Sequence, residues 1–462
     1  MSIARILADH RDWLDKPSFT SPQRRALTDA LSTAGETHRV AVYAAADPTT
    51  TTVTPSALTR LFTDALAFVD HSLRSNRRPD GLFHSYNLLE FIDEPAQPPG
   101  LLLSHIPPML EGQVAILSSG LLLPAEVVQL LHDLRASNLH RPDLNTYLLY
   151  PDRELPRFLA RNIIPPDQGD ACPLFRALLD ARDSSLVETD PSGALKFHPD
   201  LVNAAALDAR LDQLAINPRW SSAVTSATDQ VHAIYESVFR HREFTGRSGT
   251  MFGFEGLGCV YWHMVAKLLL AVQESLQAAQ DSKSSAVPEI VRAYYDVRDG
   301  LGFNHQPTTF GAFPTDPYSH TPGHSGAQQP GMTGQVKEEI LTRFGELGVR
   351  ITDGRIAFQP TFLRVHEFSA SPSTLIYPHP SGGETALTLP TSSLGFTFTG
   401  VPVVYHLTTD DTSRFRVTYT NPETPAPLRD GHQLDLATST ALLQRQPVIA
   451  RIDVYVPGSQ LA

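Results

Sequence analysis

The sequence predicts a mainly α protein that ends in a C-terminal β-sandwich. Up to about Val349 the apolar residues recur at helical spacing, and after Gly348 they alternate with period two. In that second region Pro and Gly cut the chain into short runs at intervals of about ten residues, as in an antiparallel sandwich. The chain has 462 residues, more than one hydrophobic core usually serves, so more than one domain is expected. The boundaries read from the pattern are an N-terminal extension (1–54), a helical body carrying the site loops (55–349) and a β-sandwich (350–462).

The first clear helix is Pro55–Val69, with Leu58, Leu61, Phe62, Ala65, Leu66 and Val69 on one side. Leu110–Leu117 follows, then Pro124–Ala136, where Pro124 suits a first-turn position. Glu154–Ala160, Pro173–Ala181 and a pair spanning Pro199 to His241, interrupted near Asn217 and Pro218, continue the series. Leu257–Gln280, Val287–Tyr295 and Thr333–Leu347 complete it. No fixed period of about 34 or 40 residues marks a solenoid. The expected strands are Arg355–Phe358, Phe362–Phe368, Thr374–Tyr377, Ala386–Leu389, Gly395–Thr399, Val401–His406, Arg414–Thr418 and Val448–Val456. Pro402 in this series implies a bend or an edge position.

Net charge is −12 and pI about 5.8, which argues against binding nucleic acid through a basic surface. No apolar run approaches a membrane span, and the charged start has no signal-peptide core, so a cytoplasmic protein without membrane partners is expected. Cys172 and Cys259 are the only cysteines, too few for a disulfide framework or a cysteine zinc site. His320 and His324 have a metal-like spacing, but Pro322 and Gly323 preclude the helix that would align them. No metal and no cofactor are expected.

The segment from Asp299 to Met332 is the chemically distinctive one. It holds Asn304, His305, His320, His324, Gln328 and Gln329 beside Phe303, Phe310 and Phe313, and apart from Asp299 its only charged residue is Asp316. Long irregular segments inside a compact chain are usually functional. Neutral hydrogen-bonding groups among aromatic rings suit an uncharged polyhydroxylated ligand, so a sugar is the first expectation. Asp316 is flanked by Pro314 and Pro317, which restrict its backbone.

A second segment, Arg242–Lys267, sets Glu255 among Gly246, Gly249, Gly253, Gly256 and Gly258, with Arg247 upstream and His263 downstream. A helix beginning near Gly256 or Leu257 would put Glu255 at its N-terminus, where the dipole favours a carboxylate. The plain alternative is a helix cap. Two further loops share the Asp/Asn, aromatic and His enrichment. Asn76–Leu88 carries Asp80, His84, Tyr86 and Asn87, and Arg141–Arg153 carries Asp143, Asn145, Tyr147 and Tyr150. Taken singly each is an inter-helix loop, but recurrence between successive helices is how a helical toroid lines one mouth.

With Arg78-Pro79-Asp80-Gly81-Leu82, Phe254-Glu255-Gly256 and the pattern from Gly354 to Pro360, the chain resembles the (α/α)6-barrel glycoside hydrolases and glycoside phosphorylases, including the cellobiose-phosphorylase-like group. The resemblance implies a six-hairpin (α/α) toroid with a small antiparallel β domain. It also implies cleavage of a glycosidic bond of an oligosaccharide by inverting hydrolysis or phosphorolysis, using two carboxyls roughly 6.5–9.5 Å apart or one carboxyl and a phosphate. Glu255 is the expected acid, with Asp316 as its alternate, and Asp299 and Asp316 are the base candidates. Substrate contacts are expected from Arg247, His263, Asn304, His305, His320, His324, Gln328, Gln329, Asp80, His84, Tyr86 and Asn87. If phosphate is co-substrate, Arg247, His324 and the helix start at Gln328–Thr333 form its cradle. The expected partner is an oligosaccharide, with room for a homo-oligomer. Two other classes fit the residues: a non-catalytic barrel that binds a glycan or partner, and a metal-dependent lyase or epimerase acting on a sugar through Tyr and His.

Overall fold

The computed structural model describes residues 2–44, 52–93, 98–152, 158–240, 259–301, 320–321, 334–378, 382–421 and 427–462. The chain folds as two compact units, the first made of Met1–Pro151 with Gly258–Ala462 and the second of Asp152–Leu257.

The first unit begins with α1 (Ser2–Asp9) and α2 (Ser21–Ala44), two helices that the apolar spacing does not predict. In α3 (Pro55–Ser75) the Thr54 side chain accepts a hydrogen bond from the Ala57 amide, and Pro55 occupies the first turn. The apolar stripe expected to face the core does not. Leu58, Phe62, Leu66 and Val69 are 41%, 60%, 62% and 52% exposed, while Phe68 and Asp64 are buried. The N-terminal segment explains this: Arg11 pairs with Asp64, and the Phe19 ring meets Phe68 at 6.1 Å, so α3 docks by its other face.

A hairpin of β1 (Asn87–Ile92) and β2 (Gly100–His105) precedes α4 (Leu110–Ser118) and α5 (Pro124–Ala136), which keep the expected positions. The short pair β3 (His140–Arg141) and β4 (Thr146–Tyr147) closes this stretch.

The second unit contains α6 (Phe158–Arg161), α7 (Pro166–Ala171), α8 (Pro173–Asp180), the hairpin β5 (Val187–Thr189) and β6 (Leu195–Phe197), α9 (Ala204–Ile216) and α10 (Ser221–Phe239). It has a core of its own around Phe175, Phe197, Leu207 and Val231. Two buried polar groups lock that core: the Asn162 amide exchanges bonds of 2.8 and 3.0 Å with the Phe197 backbone, and the Tyr235 hydroxyl donates to Leu201 O at 2.7 Å. Satisfied buried polar groups of this kind specify one packing arrangement.

The first unit resumes with β7 (Val260–Tyr261), α11 (Trp262–Asp281), α12 (Val287–Asp299), β8 (His320–Thr321) and α13 (Gly334–Glu346). Helix α11 is buried over most of its surface, from Trp262 and Val265 to Leu276 and Ala279, with one face through Lys267, Glu274 and Ala278 left open. It packs against α4, α5, α12 and α13 and forms the centre of the helical core, as its broad apolar surface requires.

The C-terminal part opens with the hairpin β9 (Val349–Thr352) and β10 (Arg355–Phe358), turned by Asp353 and Gly354 at positive φ. It continues with β11 (Ser373–Pro378), β12 (Glu384–Leu389), β13 (Ser393–Phe398), β14 (Val401–Thr408), β15 (Arg414–Tyr419), β16 (Arg429–Asp430), α14 (Leu436–Leu443) and β17 (Ile449–Pro457). The main sheet has the order β13-β14-β17-β15-β16. Its β14–β17 pair is parallel, so the sheet is mixed rather than wholly antiparallel as expected. The apolar face of this sheet is covered by β10, α14 and Leu434. Pro402 stands at the start of β14, ahead of the first β17 pairing at Val403, where a missing N–H costs no ladder bond on that side. The expected strand Phe362–Phe368 is instead a turn with a 3-10 segment at Val365–Glu367. Local bonds curl the chain there: Leu363 N donates to Pro360 O and Phe368 N to Val365 O, both at 3.2 Å. The architecture is therefore mainly helical with a C-terminal sheet. Among the described residues no helix is long and apolar enough to cross a membrane.

Candidate functional site

Short connections make α4 and α5 an antiparallel pair, and α11 and α12 another. Backbone hydrogen bonds then align the two pairs end to end. Leu110 N donates to Leu149 O at 3.0 Å, and Leu149 N donates to Cys259 O at 2.9 Å. Directly beyond, β7 pairs with β8, setting Tyr261 opposite His320. The starts of α4 and α11 and the ends of α5 and α12 consequently share one end of the helical core. Helix α13 begins there too, because Glu338 lies beside His263 and Thr342 beside Gln273 further along α11.

The loop Asn76–Leu88 is anchored at this same end. Phe83 exchanges two hydrogen bonds with the buried side chain of Gln113 in α4, at 2.9 and 2.8 Å. Gly81, at φ +82°, passes so close to Asp133 of α5 that a Cβ there would sit 2.0 Å from its carboxylate. Asp80 is held by Arg78 at 3.0 and 2.9 Å, and that bond keeps its carboxyl below the usual range. Its carboxylate shapes the turn. His84 stacks on His105 with ring centroids 3.6 Å apart and planes 10° from parallel. Burial, then the neighbouring His105, pushes the His84 imidazole down to about 4. The Asn87 carboxamide oxygen meets His105 Nδ1 at 2.8 Å, and Tyr86 is 39% exposed beside them. This gives a neutral, ring-lined cluster.

The loop after β3 joins through Arg135. Its guanidinium donates to Asn145 at 2.6 Å and lies 3.1 Å from the Asp296 carboxylate, an ion pair without hydrogen-bond alignment. Gly300, just past α12, meets the Asn145 carbonyl so closely that a Cβ would be 2.1 Å from that oxygen. Burial, then the nearby Asp296 charge, raises the Tyr147 hydroxyl to about 12, so it remains a donor at neutral pH. Asp299 is the last residue of α12 and borders an open groove of about 820 Å³ with Arg292, Tyr295, Asp296, Arg364 and His366.

His263 sits in the first turn of α11. Its Nδ1 is 3.3 Å from the Tyr261 hydroxyl and its Nε2 is 3.4 Å from the carboxylate of Glu338. Glu338 is 3% exposed, and the sequence pattern alone did not single it out. A signal was present: Glu338, Thr342 and Glu346 recur every four residues and are all buried, while Val336, Ile340 and Leu341 of the same helix are exposed. Helix α13 thus turns its polar face inward. Glu346 accepts from the Tyr294 hydroxyl at 2.7 Å and from Arg343 at 2.6 Å, and is ion-paired with Arg298 at 2.7 Å.

One expectation about Glu255 is corrected. Helix α11 starts at Trp262, after extended residues Val260–Tyr261, so Glu255 is not at its N-terminus. Val260 and Tyr261 are drawn into pairing with Thr321 and His320, which takes them out of helical conformation. Glu255 itself, with Arg247, Asn304, His305, Asp316, His324, Gln328 and Gln329, lies outside the described residues. Of His320 only the backbone is described. Among the described residues no group of three or more His, Cys, Asp or Glu is placed to hold a metal ion.

Residues 155–242 match the family model described as GH149 phosphorylase insertion domain 2. The match falls wholly inside the second unit and spans about a fifth of the chain. Through this segment the chain is similar to a domain of glycoside phosphorylases, in line with the resemblance noted from the sequence. No curated protein matches the chain.

Proposed function

We propose that this chain cleaves a glycosidic bond of an oligosaccharide by phosphorolysis with inversion, inorganic phosphate being the co-substrate. The observation that carries this reading is the match of residues 155–242 to a phosphorylase insertion domain, within a segment that forms its own compact unit. Supporting it, two separated loops, Asn76–Leu88 and the one carrying Asn145 and Tyr147, come to one end of a helical core. In this reading α3–α5 and α11–α13 belong to a six-hairpin toroid whose mouth those loops line. Glu255 supplies the proton to the leaving oxygen, with Asp316 as its alternate. Phosphate attacks the anomeric carbon from the opposite face, so no general base is required. Arg247, His324 and the residues from Gln328 to Thr333 hold the phosphate, and His84, Tyr86, Asn87, His263 and Asp299 contact sugar hydroxyls.

The test is a panel of disaccharides and β-glucans incubated with and without phosphate. Sugar 1-phosphate formed only when phosphate is present is the expected result. Reducing sugar released without phosphate assigns hydrolysis instead, and neither product with any substrate removes the catalytic reading. Glu255→Gln is expected to abolish turnover while leaving the melting temperature nearly unchanged.

A further inference from the structure

We infer that His263 and Glu338 act together as a clamp for adjacent hydroxyls of a sugar ring, an inference that rests on the carbohydrate reading above. The Glu338 side chain is 4% exposed, and its Oε2 has no hydrogen-bond partner among the described residues. The facing His263 Nε2 is likewise buried and without one among them, although the two atoms are only 3.4 Å apart. They face each other without the alignment of a hydrogen bond. A buried donor and a buried acceptor left unmatched side by side are costly, and such pairs persist where a ligand completes them.

The neighbours set which atom donates. The Tyr261 hydroxyl lies 3.3 Å from His263 Nδ1. A phenol at neutral pH donates to an imidazole nitrogen, which leaves the ring proton on Nε2. Nε2–H then offers a donor and Glu338 Oε2 an acceptor, side by side. A vicinal diol matches both: one hydroxyl oxygen accepts from the imidazole, and its neighbour donates to the carboxylate. The acid disfavours a phosphate at this spot, since two anions repel strongly where burial lowers the dielectric. Among the described residues the Lys or Arg paired with this carboxylate is Lys337, which is 67% exposed and bound to the other oxygen at 3.2 Å. No third His, Cys, Asp or Glu among the described residues joins the pair to make a metal set. The His263 side chain as a whole keeps 21% of its surface exposed, so the buried clamp atoms lie one ring's depth below the surface.

The experiment is calorimetric binding of a gluco-oligosaccharide series to the full chain, repeated with monodeoxy analogues. Wild type is expected to bind one parent sugar and to lose roughly tenfold or more for the analogue lacking the clamped hydroxyl. Glu338→Gln and His263→Gln are each expected to weaken the parent sugar by a similar factor and to bind parent and analogue almost equally. That lost discrimination separates a clamp from general damage to the fold, which weakens both ligands alike. Undiminished discrimination in both variants overturns the clamp while leaving the carbohydrate reading in place. Wild type that binds no member of the series overturns the carbohydrate reading, and the clamp falls with it.

Discussion

The His84 imidazole, pushed down to about 4, is favoured as the neutral ring in the folded chain. As pH falls, the unfolded chain, with an ordinary imidazole near 6.5, takes up its proton first. The stabilising contribution is therefore whole above about pH 6.5 and is lost between there and pH 4. Allowing for solvent screening of a partly exposed ring, about 1 kcal/mol is at stake. Denaturant melts at pH 7 and pH 4.5 should show a smaller acid loss in His84→Gln than in wild type. Equal losses would remove the burial account. Gly300→Ala is a second residue-level case. The added methyl must displace the Asn145 carbonyl, so a loss of roughly 1–3 kcal/mol in chemical denaturation is expected. Residue identity told the chemistry of these loops but not their partners. Asn145 and Gly300 are far apart in sequence, and nothing in either loop names the other. Glu338 was passed over because an acid near a helix start reads as a solvated or capping residue.

At the scale of elements, most helix spans were readable, but which face points inward was not always so. Periodicity reports that a helix has two faces; the neighbours decide which one is covered. In α3 the covered face is the one around Phe68, because residues earlier in the chain pack there. Phe68→Ala is accordingly expected to cost about 3 kcal/mol, and Leu66→Gln less than about 0.5 kcal/mol, in parallel urea titrations. A reversed order would restore the face inferred from the sequence. Helix α13 has the same inversion, for a different reason: its inward carboxylates meet His263 of α11 and Tyr294 and Arg298 of α12. Glu346→Ala should destabilise by roughly 3 kcal/mol, since it strips Tyr294, Arg298 and Arg343 of a shared acceptor. The mixed order of the C-terminal sheet was hidden for a related reason. Alternation within a strand records its two faces and says nothing of the direction of its neighbour.

For the molecule as a whole, the change from helical to strand patterning near Gly348 was visible, yet the unit Asp152–Leu257 was not. Its helices carry the same periodicity as those on either side, so no compositional step marks its borders. What marks them is closure in space: Leu149 and Cys259 are hydrogen-bonded neighbours. Replacing residues 152–257 by a short Gly/Ser link should leave a cooperatively folding first unit. The excised segment, which has its own core, should fold alone with protected amides in hydrogen exchange. A molten first unit after excision would show that the two depend on each other for stability.

The burial of α11 among four other helices has a consequence for how such a chain can change over generations. A single residue gained or lost inside that helix would turn everything downstream by about 100° and shift it about 1.5 Å along the axis. It would carry Gln273 and Leu276 off their neighbours and break the packing in one step. Between Leu149 and Cys259, by contrast, the chain accommodates more than a hundred residues without disturbing that hydrogen bond. Length variation among descendants of this chain should therefore gather at that junction and be almost absent from Trp262 to Asp281.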